Sequence, residues 1–136
     1  MRPGAHIAAA AIAAVSLTAG GCSSSEAAFC EELGQFAELD ALQAALEAGD
    51  EDATYAQLNA LDALAENAPE QIRGDLTEIS DVMAEVVVVA LQDPSDAATS
   101  EGEQERERVN QRLSRVVGHT TAVSDWTEEN CGIRLN

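Results

Sequence analysis

The chain has 136 residues, enough for one domain, and 25 of them are acidic against seven arginines and no lysine. Arg2 is the only basic residue before Cys22, so the chain from Cys22 onward has six arginines, 25 acids and a net charge of −19. A surface this acidic repels phosphate backbones and anionic lipid head groups, which excludes nucleic acid as a partner. We interpret the acidity as adaptation of an exported protein to its medium.

The first 21 residues have the parts of an export signal. Arg2 and the amino terminus are positive, residues 7–19 are mostly apolar, and the small residues 19–21 precede Cys22. The apolar run is shorter than the roughly 20 residues of an ordinary membrane span. An ordinary cleaved signal peptide and a signal-anchor helix are the alternatives.

Residues 17–22, with the sequence Leu-Thr-Ala-Gly-Gly-Cys, resemble the lipobox of bacterial lipoproteins. Gly20, Gly21 and Cys22 match that motif, whereas Ala19 stands where an aliphatic residue, usually leucine, precedes them. The resemblance implies that a diacylglyceryl group is attached to the Cys22 sulfur and that residues 1–21 are then cleaved off. We therefore expect an extracytoplasmic protein anchored to the cell membrane, in which residues 22–28 form a lipidated tether and residues 29–136 a helical domain.

After the tether, apolar residues recur every three or four positions, which predicts helices. Ser23 and Glu26 have the spacing of a capping box near the start of the first helix, which extends through Ala48 and ends at Gly49. A second helix is predicted from about Ala53 to Asn67. The apolar positions of the first helix are Phe29, Leu33, Phe36, Leu39, Leu42 and Leu46.

Proline separates the second and third predicted helices. A residue that precedes proline is disfavoured in a helix, so the second helix stops at Ala68, and Pro69 suits the first position of the third. The run from Val86 to Leu91 would suit a strand, but the helical period that leads into it favours a helix. The apolar face of the third helix comprises Ile72, Leu76, Ile79, Met83, Val86 and Ala90.

Asp93-Pro94 ends the third helix, and residues 95–100 are predicted to form a loop. Ser100 and Glu103 have a second capping-box spacing, at the start of a fourth helix that ends near Asn130. Four helices joined by short breaks predict an all-α fold, an antiparallel up-down-up-down four-helix bundle. The fourth helix has Val109, Leu113, Val116, Thr120, Val123 and Trp126 at its core positions.

Three cysteines in an exported protein is an odd count that needs an explanation. Lipidation of Cys22 leaves Cys30 and Cys131, which lie at the same end of an antiparallel four-helix bundle. We therefore predict a Cys30–Cys131 disulfide; the alternative pairs Cys22 with Cys131. A zinc site is not predicted, because the chain after Cys22 has one histidine and two distant cysteines, which do not have the spacing of zinc ligands.

Arg108, Arg112, Arg115 and His119 form one stripe on the fourth predicted helix. They are the candidate anion-binding residues, because guanidinium groups suit planar oxyanions. The alternative is that they neutralise carboxylates on the same helix or on neighbouring ones.

Two further patterns are weaker. From Asp50 to Thr54, oxygen-bearing side chains occupy alternate positions, as at the start of a calcium-binding loop. However, Leu61 lies where the bidentate glutamate is needed. Ser114, His119 and Asp125 have the residue types of a hydrolase triad, yet their spacing on one helix points them in different directions. We therefore predict no catalytic residues, no metal and no cofactor.

Beyond the signal, the chain resembles the small helical lipoproteins of high-GC Gram-positive bacteria. Phe29-Cys30, Ala68-Pro69-Glu70 and Cys131 carry the resemblance, which implies fold and location only. We expect a non-enzymatic lipoprotein that acts through an envelope protein partner or as an accessory subunit. The alternative is a carrier for a small apolar or anionic ligand, which needs a cavity; residues 86–91 are the expected place.

Overall fold

The computed structural model of the protein describes residues 24–36 and 39–135. Within these ranges the chain forms helices and short connections without a strand, so the predicted all-α class is confirmed. None of the described helices is both long enough and apolar enough to cross a membrane. Cys22, the signal segment and Ser23 lie outside the described residues. The helices are α1 (Ser24–Phe36), α2 (Asp40–Ala48), α3 (Glu51–Glu66), α4 (Glu70–Ala90), α5 (Pro94–Ala97) and α6 (Ser100–Cys131).

The prediction of a single first helix is wrong, because the chain breaks it into α1 and α2 at Leu39. Leu39 has a φ of 51°, in the left-handed region that leucine rarely adopts, and its N–H donates to the Phe36 carbonyl at 3.2 Å. The apolar period gave no sign of this break, since Phe36, Leu39 and Leu42 keep a spacing of three across it. As a result α1 packs on α3 and α6, whereas α2 packs mainly on α3.

The turn between α2 and α3 uses the two residues that end one helix and begin the next. Gly49 ends α2 with a φ of 65°, the left-handed conformation expected there. The Asp50 carboxylate accepts a hydrogen bond from the Ala53 N–H at 3.0 Å and caps α3. The helix therefore starts at Glu51, slightly before the predicted Ala53. Pro69 was predicted to be the first helical residue of α4, but it is the N-cap residue that precedes the helix.

The predicted loop over residues 95–100 contains the short helix α5. Asp93 begins it by accepting hydrogen bonds from the Ser95 N–H at 2.8 Å and the Ser95 hydroxyl at 2.5 Å. Both bonds lower the pKa of Asp93, and the bond from the hydroxyl has the larger effect. The cap of α6 is Thr99, one residue before the predicted Ser100, and its hydroxyl oxygen accepts from the Gly102 N–H at 3.1 Å.

The core is aliphatic, as the scarcity of aromatic residues requires, and it has two parts. The smaller part holds Leu42, Leu58 and Val87 from α2, α3 and α4. Val87 is fully buried and Val88 half exposed, so residues 86–91 have the one-sided burial of a helix. The larger part contains Phe29, Leu33, Leu61, Leu64, Ala65, Ala68, Ile72, Leu76 and Val123.

Candidate functional site

An apolar pocket of about 470 Å³ lies beside the larger part of the core. Its deep wall is made of the buried side chains of Leu33, Leu61, Leu76 and Val123, which come from four different helices. Half-buried apolar side chains extend this wall toward the surface. A volume of this size falls within the range of small-molecule sites in proteins. The half-buried lining residues are Phe36, Leu39, Ile79 and Leu135.

The polar rim of the pocket comes from α6. The hydroxyls of Thr120 and Thr121 donate to the Val117 carbonyl at 2.8 and 2.9 Å, and the Ser124 hydroxyl donates to the Leu135 carbonyl at 3.4 Å. Because each hydroxyl has a single proton, these oxygens have only lone pairs left to offer a ligand. Among the described residues, the remaining polar one in the lining is Asp125, which is exposed and whose carboxylate only accepts hydrogen bonds when ionised.

The disulfide joins two of the helices that line the pocket. Cys30 in α1 is joined to Cys131 at the end of α6, with their Cα atoms 5.5 Å apart, so the structure has the predicted disulfide. Beside it the Phe29 and Trp126 rings pack edge to face, with centroids 5.9 Å apart. The pocket begins one helical turn beyond Cys30, at Leu33.

The segment after α6 returns to cover part of the pocket. Gly132 has a φ of 66°, which reverses the chain, and the Ile133 N–H then donates to the Thr127 carbonyl at 3.3 Å. Leu135 reaches the pocket lining as a result. No helical period extends past Cys131, so the sequence gave no basis for expecting this side chain in a site.

Arg112, in the predicted anion-binding stripe, is held between two carboxylates of α4. It donates a hydrogen bond to Glu78 at 2.8 Å and pairs with Glu85 through its other terminal nitrogen. The hydrogen bond from Arg112 lowers the pKa of Glu78, and the same bond raises the pKa of Arg112. Only 22% of the Arg112 side chain surface is exposed, so its contacts are those of an ion pair between two helices.

Two other members of the stripe also meet carboxylates. His119 Nδ1 lies 2.7 Å from Asp75 Oδ1 on α4, and Arg108 pairs with Glu105 on its own helix. Arg115 is exposed. These contacts support the alternative given above, that the stripe neutralises neighbouring acids, and the anion site stays a prediction.

The calcium-like and triad-like patterns have structural explanations. Asp50 caps α3, and the Thr54 hydroxyl donates to the Asp50 carbonyl at 2.8 Å, so the alternation marks a helix start. The Ser114 hydroxyl donates to a carbonyl of its own helix, and His119 meets Asp75 instead of Asp125. In the described part of the chain, no three His, Cys, Asp or Glu side chains are grouped to hold a metal ion.

Sequence reasoning expected the cavity in the wrong place. The described residues 86–91 take no part in the lining of the pocket, and Val87 is packed in the smaller part of the core. Thr120 was predicted at a core position of the fourth helix, but it is exposed and lies on the rim of the pocket with Thr121 and Ser124. Comparison of the chain with family models, curated proteins and solved structures finds no match in any of the three.

Proposed function

We propose that this protein is an extracytoplasmic, membrane-anchored lipoprotein without enzymatic activity, and that it binds the apolar part of a ligand in the pocket. The lipobox-like residues 17–22 support the anchor on Cys22. The Cys30–Cys131 disulfide supports an oxidising compartment, where such bonds persist. The observation that carries the binding function is the pocket itself.

The composition of the pocket favours an apolar guest. Apolar cavities in proteins stay dry and take up apolar molecules, and each buried methylene contributes about 0.8 kcal/mol to binding. Among the described lining residues, eight of twelve are Leu, Ile, Val or Phe, and they include all of the buried ones. The polar residues of this described lining all belong to α6, so a ligand would enter with its apolar end first.

We also propose that the helices form an antiparallel bundle of four arms, with α1 and α2 together as the first arm. Two contacts between α4 and α6 support opposite directions, since the lower-numbered Asp75 meets the higher-numbered His119 and Glu85 meets Arg112. In this arrangement the pocket lies at the disulfide end of the domain. That end is also close to the tether and therefore to the membrane.

The expectation of a protein partner has less support than the pocket. A large contiguous apolar patch on the surface would mark a docking site. The large exposed apolar side chains of the described residues are Tyr55, Val88 and Val117, which belong to three different helices. We therefore place ligand binding first and action as an accessory subunit second.

The binding function is tested with a neutral alkyl probe. 1-Decanol, titrated into the purified protein by calorimetry, is expected to bind, and Ile79→Phe is expected to weaken binding at least about tenfold by filling the pocket. Val88→Phe enlarges an exposed residue of the same helix outside the pocket and should leave the affinity unchanged. Thr121→Phe blocks the pocket from its exposed rim and should act like Ile79→Phe without disturbing the core.

Each part of the proposal has an outcome that would contradict it. Absence of decanol binding, or equal binding by all three variants, would contradict the pocket as a binding site. The anchor is tested separately by mass spectrometry of the membrane-extracted protein, which should show the diacylglyceryl mass on Cys22. An unmodified Cys22 would contradict the anchor and leave the pocket unaffected.

A further inference from the structure

We propose that the pocket selects amphiphiles with a cationic head group and discriminates against carboxylates and other anions. The inference rests on the binding function proposed above and adds the chemical class of the ligand. It also chooses against the anionic ligand that the arginine stripe suggested. Three features of the rim carry it: its hydrogen-bonding groups, its charge, and the pairing of the cations nearest to it.

The described side chains of the rim offer hydrogen-bond acceptors to a ligand, because their hydroxyl protons are already donated to the backbone. The hydroxyl protons of Thr120, Thr121 and Ser124 are all directed to backbone carbonyls, and Asp125 contributes two carboxylate oxygens. An ammonium group has three donors and no acceptor, so it complements this rim. A carboxylate head group has only hydrogen-bond acceptors, so it could not bond to these acceptors and would lose its hydration without compensation.

The charge of the rim also favours a cationic head group. Asp125 is the only charged residue among the described lining residues, and Glu129 lies one turn further along α6. The net charge of −18 for the whole chain adds a general attraction for cations. Asp125 adds an attraction at the rim itself, where the head group of an inserted ligand would lie.

The basic residues nearest to the rim along the chain already have carboxylate partners. His119 precedes Thr120 and lies 2.7 Å from Asp75, and Arg134 precedes Leu135 and lies 2.6 Å from Glu128. An anionic head group would have to compete with these carboxylates for either residue. The described rim therefore supplies a counter-charge for a cation and none for an anion.

Three probes with the same decyl chain test the selectivity. Decylammonium, 1-decanol and decanoate are titrated into the purified protein by calorimetry at physiological salt and neutral pH, below their micelle concentrations. Decylammonium should bind most tightly and decanoate most weakly, with about a tenfold ratio between them, since a partly exposed charge contributes modestly. Asp125→Asn should reduce this ratio about threefold.

Asp81→Asn is the matched control, because it removes one exposed carboxylate from α4 outside the pocket lining. It should leave the ratio unchanged. If both substitutions reduce the ratio equally, the preference comes from the acidic surface as a whole and the inference is overturned. If decanol binds in the pocket but decanoate binds as tightly as decylammonium, the inference fails and the binding function stands. If none of the three probes binds, both fail.

Discussion

Removal of the Cys30–Cys131 disulfide should lower the free energy of unfolding by about 4–5 kcal/mol in the chain-entropy account. The two cysteines are 101 residues apart in the chain, so the bond closes a loop that includes almost all of the described helices. For a loop of about 100 residues, the entropy that the cross-link removes from the unfolded chain is worth about 4.7 kcal/mol at 25 °C. Domains are stable by only about 5–15 kcal/mol in total, so this bond is a large fraction of the stability.

The reduced protein should nevertheless retain its fold. The Phe29 and Trp126 rings pack beside the disulfide, and Leu33 and Val123 belong to the larger part of the core whether or not the sulfurs are joined. The loss should therefore come mainly from a more expanded unfolded state. In urea denaturation this predicts a larger m-value for the reduced protein, because more surface becomes exposed on unfolding.

The assay uses the chain from residue 22 onward with Cys22→Ser, which removes both the proposed lipidation site and the third thiol. Urea unfolding is followed by far-UV circular dichroism and by the fluorescence of Trp126, the single tryptophan. Cys30→Ser, Cys131→Ser and the double variant, all measured with reductant, should lose the same stability because each breaks the same bond. A loss below about 1 kcal/mol, with an unchanged m-value, would refute the loop-closure reasoning.

The remaining predictions concern α6 and its neighbours. Gly102→Ala should destabilise the protein by about 1–3 kcal/mol, measured by thermal denaturation, because the new Cβ would lie 2.5 Å from the Asp96 carbonyl oxygen. Gly118→Ala is its control, since nothing lies within 4 Å of that Cβ and alanine is the better helix former by up to about 1 kcal/mol; a lower melting temperature in both would argue against close packing of α5 on α6. Glu78→Gln should lower the melting temperature near neutral pH, because Arg112 lowers the pKa of Glu78 below its ordinary value of 4.5 and thereby stabilises the folded state above that pH. This stabilisation is lost as the pH falls through the lowered pKa, so the gap between wild type and variant should close in acid; a gap that persists there would contradict the ion pair.

The helices were predictable where a long apolar period decides their packing. The predicted faces begin at residues that are buried, Ile72 in α4 and Val109 in α6, so tertiary contacts act there in the same direction as the local pattern. They fail further along, where Ala90 and Thr120 are exposed. The break at Leu39 was not predictable, because leucine carries no preference for positive φ and the apolar spacing continues across it. The shift from Ser100 to Thr99 as the cap has a simple cause: both residues favour that position, and only the geometry of the chain chooses between them.

Of the candidate site, only the disulfide beside the pocket was predictable. The odd number of cysteines led to the Cys30–Cys131 pair because disulfide chemistry allows few choices. The pocket depends on how four helices fit together, which no local pattern expresses. Thr120 was counted as one more core position, but it is exposed and lies on the rim of the pocket. The arginine stripe is visible in the sequence, but its carboxylate partners on α4 depend on the register between two helices.

The position of the disulfide also decides how the domain carries mechanical load. A pulling force applied between a residue before Cys30 and a residue after Cys131 passes from one side to the other through the sulfur–sulfur bond. Helices α2 to α5, and α6 as far as Cys131, lie within the bypassed loop and bear no tension from such a pull. Drag on the proposed membrane tether transmitted along this route would stretch only the short segments outside the loop. Leu135 lies on one of these segments and would be displaced, whereas the other described lining residues of the pocket lie inside the loop and would keep their arrangement under that tension.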